Sequence, residues 1–152
     1  MELIIQKCVE LGVFEIVPVK TERSVVKLEK SSKKTERWQK IAESAAKQSG
    51  RGIIPNVSEP ISFQEALKKA QTLDFSIIPY ENEKENKIKN VIKGRTDKSI
   101  GVFIGPEGGF SLKEIEMAKE AGLTPITLGE RILRTETAGM VSLALILYEL
   151  EN

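Results

Sequence analysis

Two short stretches of this chain carry residue types and spacings that could do chemistry. The first is Gly105-Pro106-Glu107-Gly108-Gly109-Phe110. Its three glycines permit positive φ and let backbone approach a flat ligand closely. No Lys-Ser/Thr pair follows, so this is not a Walker loop, and the spacing is not that of a dinucleotide fingerprint. Glu107 would repel a phosphate. The stretch suits a ligand held by backbone hydrogen bonds, such as an adenine or an amino-acid group. The second stretch is Leu128-Gly129-Glu130-Arg131-Ile132-Leu133-Arg134, leading into Thr135-Glu136-Thr137-Ala138. Its aliphatic residues could line an apolar pocket while Arg131 and Arg134 reach polar groups. Thr135 stands where it could cap a following helix. Taken singly, an ordinary loop is the simpler explanation of each stretch.

Composition narrows the chemistry further. Histidine is absent, which removes His-based triads, histidine metal sites and the commonest general base. One cysteine, Cys8, forms no intramolecular disulfide and no thiolate zinc site. We therefore expect no metal. No run reaches the roughly 20 apolar residues of a membrane span. Met1 is followed by Glu2 and an amphipathic stretch, without the basic and apolar segments of a signal peptide. The expectation is a cytoplasmic protein with no membrane partner.

The elements that must position the two stretches follow from periodicity. With 152 residues, the chain fits a single domain spanning 1–152. Residues 1–11 show helical spacing ending at Gly12, and residues 13–19 read as a strand interrupted by Pro18. A helix is expected over 35–49. Ser62 with Glu65, and Ser111 with Glu114, are capping boxes that open two further helices. Strands at 74–80, 99–104 and 124–128 alternate with helices at 83–93, 111–121 and 135–150. This order predicts an α/β domain with a mainly parallel sheet, and ligands bind at the carboxyl ends of such strands. Both stretches fall there. The last helix is apolar around most of its circumference, from Met140 to Tyr148, and must be buried in the fold or against another subunit.

Charge is nearly balanced overall, at 23 basic against 22 acidic residues. It is uneven locally: residues 20–50 hold nine Lys/Arg and four Asp/Glu, an excess of +5. This segment is either a solvated face or a surface for an RNA backbone.

Together the motifs resemble a known family. GPEGGFS-x-x-E (105–114) and LG-x-RILR-x-ETA (128–138) are similar to signatures of the RsmE-type 16S ribosomal RNA uridine-N3 methyltransferases, which belong to the SPOUT superfamily. QKCVELGV (6–13), RSVVK (23–27), RW (37–38) and AAKQSGR (45–51) agree, in the same order. The resemblance implies S-adenosyl-L-methionine as methyl donor and a SPOUT fold: a mainly parallel sheet, helices on both faces, and a C-terminal deep trefoil knot. It also implies a homodimer acting on 16S ribosomal RNA or the small ribosomal subunit. Family members usually carry a small N-terminal PUA-like barrel that binds RNA. The sequence begins close to where the catalytic domain is expected to start, so that barrel is expected to be missing.

Carried onto this sequence, the resemblance places the donor among three loops: Ile78, Pro79, Tyr80 and Glu81; Ile104, Gly105, Pro106, Glu107, Gly108 and Gly109; and Leu128, Gly129, Arg131, Ile132 and Leu133. RNA contacts are expected from Arg23, Lys27, Lys30, Lys33, Lys34, Arg37 and Arg51. Methyl transfer to N3 needs loss of the N3 proton. Without histidine the base is a carboxylate, a solvent water or no group of the protein; Glu136 is the nearest candidate and Glu107 the second, while Arg134 and Arg51 are candidates to stabilise the uridine anion. Two alternatives stay open: a SPOUT enzyme acting on transfer RNA or a ribose 2′-hydroxyl, and a donor-binding domain that is inactive without the RNA-binding barrel.

Overall fold

The computed structural model describes residues 1–24 and 32–150. The elements run α1 (Glu2–Leu11), β1 (Glu15–Ile16), β2 (Val19–Lys20), α2 (Ser32–Gln48), β3 (Asn56–Val57), β4 (Ile61–Ser62) and α3 (Phe63–Ala70). They continue with β5 (Phe75–Pro79), α4 (Ile88–Ile92), β6 (Ile100–Val102), α5 (Leu112–Glu120), β7 (Thr124–Ile126) and α6 (Thr135–Leu150).

The main sheet has the order β6-β5-β7, with both pairings parallel. Its central strand explains the layering. Ile77 and Ile78 are adjacent on β5 and fully buried, and their side chains leave opposite faces of the pleat. Ile78 joins Phe63, Leu67, Phe110, Ile115 and Leu123, from α3, α5 and the segments flanking α5. Ile77 joins Ile88, Ile92, Ile126 and Ile146, from α4, β7 and α6. Helices thus cover both faces of a parallel sheet, as expected. A separate cluster, built on Ile5, Val9, Trp38, Ala42 and Ala46, packs α1 against α2.

Both capping boxes form. The Ser62 and Ser111 hydroxyls accept from the Glu65 and Glu114 N–H groups, and each glutamate accepts from its own cap residue's N–H. Gly12 ends α1 with φ +108, where its absent Cβ lets Leu147 of α6 approach closely.

The break at Pro18 falls where the sequence puts it, while other details are finer or shorter than expected. The strand at 13–19 splits at Pro18, which has no N–H for a ladder. β1 pairs in parallel with β3, and β2 with β4, giving two further small sheets. β3 and β4 are two residues each, too short to leave a period in the sequence. The helix expected at 83–93 contracts to α4, because the Glu83 carboxylate accepts from the Glu85 and Asn86 N–H groups and closes a competing turn. The same bonds hold the Glu83 carboxyl below its usual range. The last helix buries one stripe, Ala138, Ser142 and Ile146, while Leu145, Tyr148 and Leu150 stay exposed.

Candidate functional site

Because β5 lies between β6 and β7 and all three run parallel, their carboxyl ends share one edge of the sheet. Each strand there feeds one of the three loops. The chain leaving β5 is held by the Tyr80 N–H, which donates to the Ile126 carbonyl of β7 at 3.0 Å. Further on, Thr127 bridges Lys87 in parallel.

The glycine loop after β6 is pinned from several directions. The Gly109 N–H donates to the Pro106 carbonyl at 2.8 Å, closing a turn, and Gly109 sits at φ +67. It is the only one of this loop's three glycines with positive φ. A Cβ placed on Gly109 would lie 3.2 Å from Oε2 of Glu81, so the first loop's carboxylate rests against the second loop's backbone. A Cβ on Gly105 would lie 3.2 Å from the Phe110 ring, which is buried in the core. The Thr135 hydroxyl donates to the Gly105 carbonyl at 2.9 Å. Arg23 Nη1 donates to the Gly108 carbonyl at 3.2 Å. The carbonyls of Gly105, Pro106 and Gly108 are therefore all engaged within the chain, which biases the loop toward donating N–H groups to a ligand.

The third loop follows β7. Thr127 Oγ1 donates to the Gly129 carbonyl and accepts from the Gly129 N–H, both at 3.2 Å, and Gly129 takes φ +118. A Cβ on Gly129 would meet nothing within 4 Å, so the loop borders open space. Leu128 and Leu133 are half-buried, whereas Ile132 is 84% exposed beside the exposed Arg131 and Arg134. A bare isoleucine between two arginines can wall an apolar ligand and still offer cations at its rim.

The expected site residues thus fall into groups. Residues of the loops 78–81, 104–109 and 128–133 come together at one sheet edge. Glu136 is half-buried in the first turn of α6, directly after Arg134 and Thr135. Thr135 does not cap α6 with its side chain; it is helical, and its hydroxyl reaches back to Gly105 instead. Arg51 stands elsewhere. Its guanidinium donates to the carbonyls of Val9 at 3.0 Å and Val13 at 2.8 Å, with Gly12 at 3.5 Å. A helix end leaves carbonyls without intrahelical partners and favours a cation, and α1 has no basic residue in its own last turn. The structure thus gives Arg51 a capping role, with its contacts on α1.

Of the expected RNA contacts, Lys27 and Lys30 lie outside the described residues. Lys33 is exposed, and Lys34 Nζ sits 5.3 Å from the centroid of the Trp38 ring. Arg37 pairs with Glu2 at 2.8 Å. Arg23 turns to the glycine loop. Sequence reading missed that contact and the bond from the Glu22 N–H to Glu114 Oε1 at 2.9 Å. No local pattern announces either, since they join residues 85 and 92 positions apart.

A parallel α/β domain with three loops meeting at the carboxyl edge of its main sheet is the class that fold and site define. The chain belongs to the RNA methyltransferase domain family, which it matches over residues 1–147. It is 42% identical to the ribosomal RNA small subunit methyltransferase E of Bacillus subtilis, an alignment covering 99% of this chain and 62% of that protein. It is 35% identical to the protein of that name from Aquifex aeolicus, covering 97% of this chain and 62% of that one. Among solved structures, it superposes with a TM-score of 0.87 on a ribosomal RNA small subunit methyltransferase E from Neisseria gonorrhoeae bound to S-adenosyl methionine. That pair is 40% identical, over 97% of this chain and 60% of the other. The chain thus spans less than two thirds of the length of these relatives.

Proposed function

We propose that this domain binds S-adenosyl-L-methionine in its three strand-end loops and transfers the methyl group to N3 of a uridine in 16S ribosomal RNA. The observation that carries this reading is the convergence of the loops on one sheet edge, locked by the Thr135–Gly105 hydrogen bond. The relative 42% identical to this chain is named a ribosomal RNA small subunit methyltransferase, and the 40% identical structure of that name is solved with S-adenosyl methionine bound.

The residues present fit such a donor. Ile104, Leu128, Ile132 and Leu133 offer apolar walls for an adenine. The glycine loop, its carbonyls engaged, offers N–H groups to acceptor atoms. Bound there, the donor supplies a methyl group on a positively charged sulfur, ready for in-line displacement. The chain's own task is positioning, with little covalent work. The uridine N3 proton must leave as N3 attacks. In this reading Glu136 accepts it, either directly or through water, and Arg134 stabilises the resulting anion.

The same reading extends to assembly. The exposed side of α6, with Leu145 and Tyr148, fits a second copy of the chain. The return of the chain after β7 to the glycine loop fits the threading of a trefoil knot. A ribosomal RNA substrate fits a protein of the cytoplasm.

Calorimetry with S-adenosylmethionine tests the donor site. Incubation with small-subunit particles, followed by mass spectrometry of nucleosides, tests the acceptor. We expect 3-methyluridine. A methyl on ribose or in transfer RNA would move the acceptor assignment, and donor binding without any methylation would leave a donor-binding domain only.

A further inference from the structure

Residues 21–24 form a tight turn. The Ser24 N–H donates to the Thr21 carbonyl, and the two hydroxyls lie 2.6 Å apart. This turn is tied to the glycine loop and to the helix that follows it. Glu114 is 5% exposed; its Oε2 accepts from Ser111 N–H and its Oε1 from Glu22 N–H, both at 2.9 Å. One buried carboxylate therefore fixes the start of α5 and the turn together. One residue further along the turn, Arg23 Nη1 donates to the Gly108 carbonyl. Backbone packs here as well: a Cβ on Gly108 would lie 3.2 Å from Arg23 Cβ and 3.4 Å from its carbonyl oxygen. Gly108 has an ordinary φ, so its lack of a side chain serves this approach and not a turn.

We propose that Arg23 is a positioning residue of the donor site, acting through Gly108, and not simply one more phosphate contact. This rests on the donor reading above. Gly108 lies between Glu107, at the tip of the turn, and Gly109, the positive-φ residue against Glu81. Holding its carbonyl fixes the peptide plane between Gly108 and Gly109, whose N–H closes the turn onto the Pro106 carbonyl, and so holds the shape of the loop that would receive the donor. A charged donor on a carbonyl is among the stronger hydrogen bonds, and an arginine fork holds its direction better than a lysine. Arg23 also opens the basic stretch, so the wall of the donor loop and the face offered to RNA share one residue.

The test uses Arg23→Ala and Arg23→Lys in the full chain, with two independent readouts. The first is amide hydrogen exchange in ligand-free protein. Arg23→Ala should speed exchange across residues 105–110 while the interior of α5 stays as protected as in the unmodified chain. The second is calorimetry with S-adenosylmethionine alone. Arg23→Ala should raise the dissociation constant about tenfold, and Arg23→Lys, which keeps a charged donor but not the fork, should recover only part of it. In turnover the loss should fall on KM for the donor, with kcat nearly kept. Unchanged exchange and unchanged donor affinity in Arg23→Ala, with weaker RNA binding, would overturn the proposal. If the unmodified chain binds no donor while exchange responds as stated, the latch stands and the donor reading beneath it fails.

Discussion

Gly109→Ala separates the strain of a backbone from the function of a loop. Gly109 has φ +67, and Gly50, after α2, has φ +70. An L-residue in this region costs about 1–2 kcal/mol, and the cost is the same kind at both sites. For a domain near 150 residues, that lowers Tm by about 2–8 °C. The surroundings differ. A Cβ on Gly50 meets nothing within 4 Å, whereas one on Gly109 comes within 3.2 Å of the Glu81 carboxylate. Glu81 is exposed and can swing by a few tenths of an ångström, so the contact adds little to the stability loss. It does displace the Glu81 carboxylate of the first loop from its place against the second loop's backbone. We expect Gly50→Ala and Gly109→Ala to lose similar stability, followed by fluorescence of the single tryptophan, Trp38, which is 2% exposed. Only Gly109→Ala should lose donor affinity, about tenfold by calorimetry, or about 1.4 kcal/mol. Equal affinity in both variants, at equal stability loss, would sink the assignment of this loop to the donor.

Further expectations concern surfaces and the thiol. Leu145 is 39% exposed on α6, so Leu145→Glu should convert a dimer, sedimenting near twice 16.9 kDa, into a monomer; a monomeric parent chain would mean the open face of α6 has no second copy. Reversing Lys33 and Lys34 to glutamate should weaken RNA binding and flatten its salt dependence by roughly 0.7 log units per lost contact, with donor affinity unchanged. Unaltered RNA binding would make the start of α2 a solvated face. Burial pushes the Cys8 thiol from 9.0 up to about 11. A group whose folded pKa is raised gives stability that is complete below the unfolded value and lost as pH rises through the folded one. Cys8 should therefore cost the fold stability between about pH 9 and 11, and Cys8→Ala should remove that part of the alkaline decline in denaturant titrations. An identical decline in Cys8→Ala would assign it to other groups.

What the sequence makes legible here is what short-range physics writes into it. The capping boxes at Ser62 and Ser111 are three-residue patterns, and both form. Strand–helix alternation places the two motif loops at carboxyl ends, where the sheet indeed carries them. β3 and β4 are not legible, because two residues between Pro55 and Pro60 and just beyond show no period. The contacts of Arg51 leave no local pattern either, because the carbonyls it holds lie about 40 positions earlier.

The site itself is the least legible part, because the contacts that tie its loops to other segments are long-range. Thr135 reaches Gly105 across 30 positions, and Arg23 reaches Gly108 across 85. Such contacts decide which backbone groups remain for a ligand. Three successive constraints, on the carbonyls of Gly105, Pro106 and Gly108, turn a flexible glycine loop into one with a fixed sense of donors and acceptors. Glycine is needed here for two separate physical reasons, positive φ at Gly109 and close approach of Arg23 at Gly108. A motif read as three equivalent glycines is therefore three different devices: a surface for the Phe110 ring, a seat for an arginine latch, and a hinge of the turn that meets Glu81.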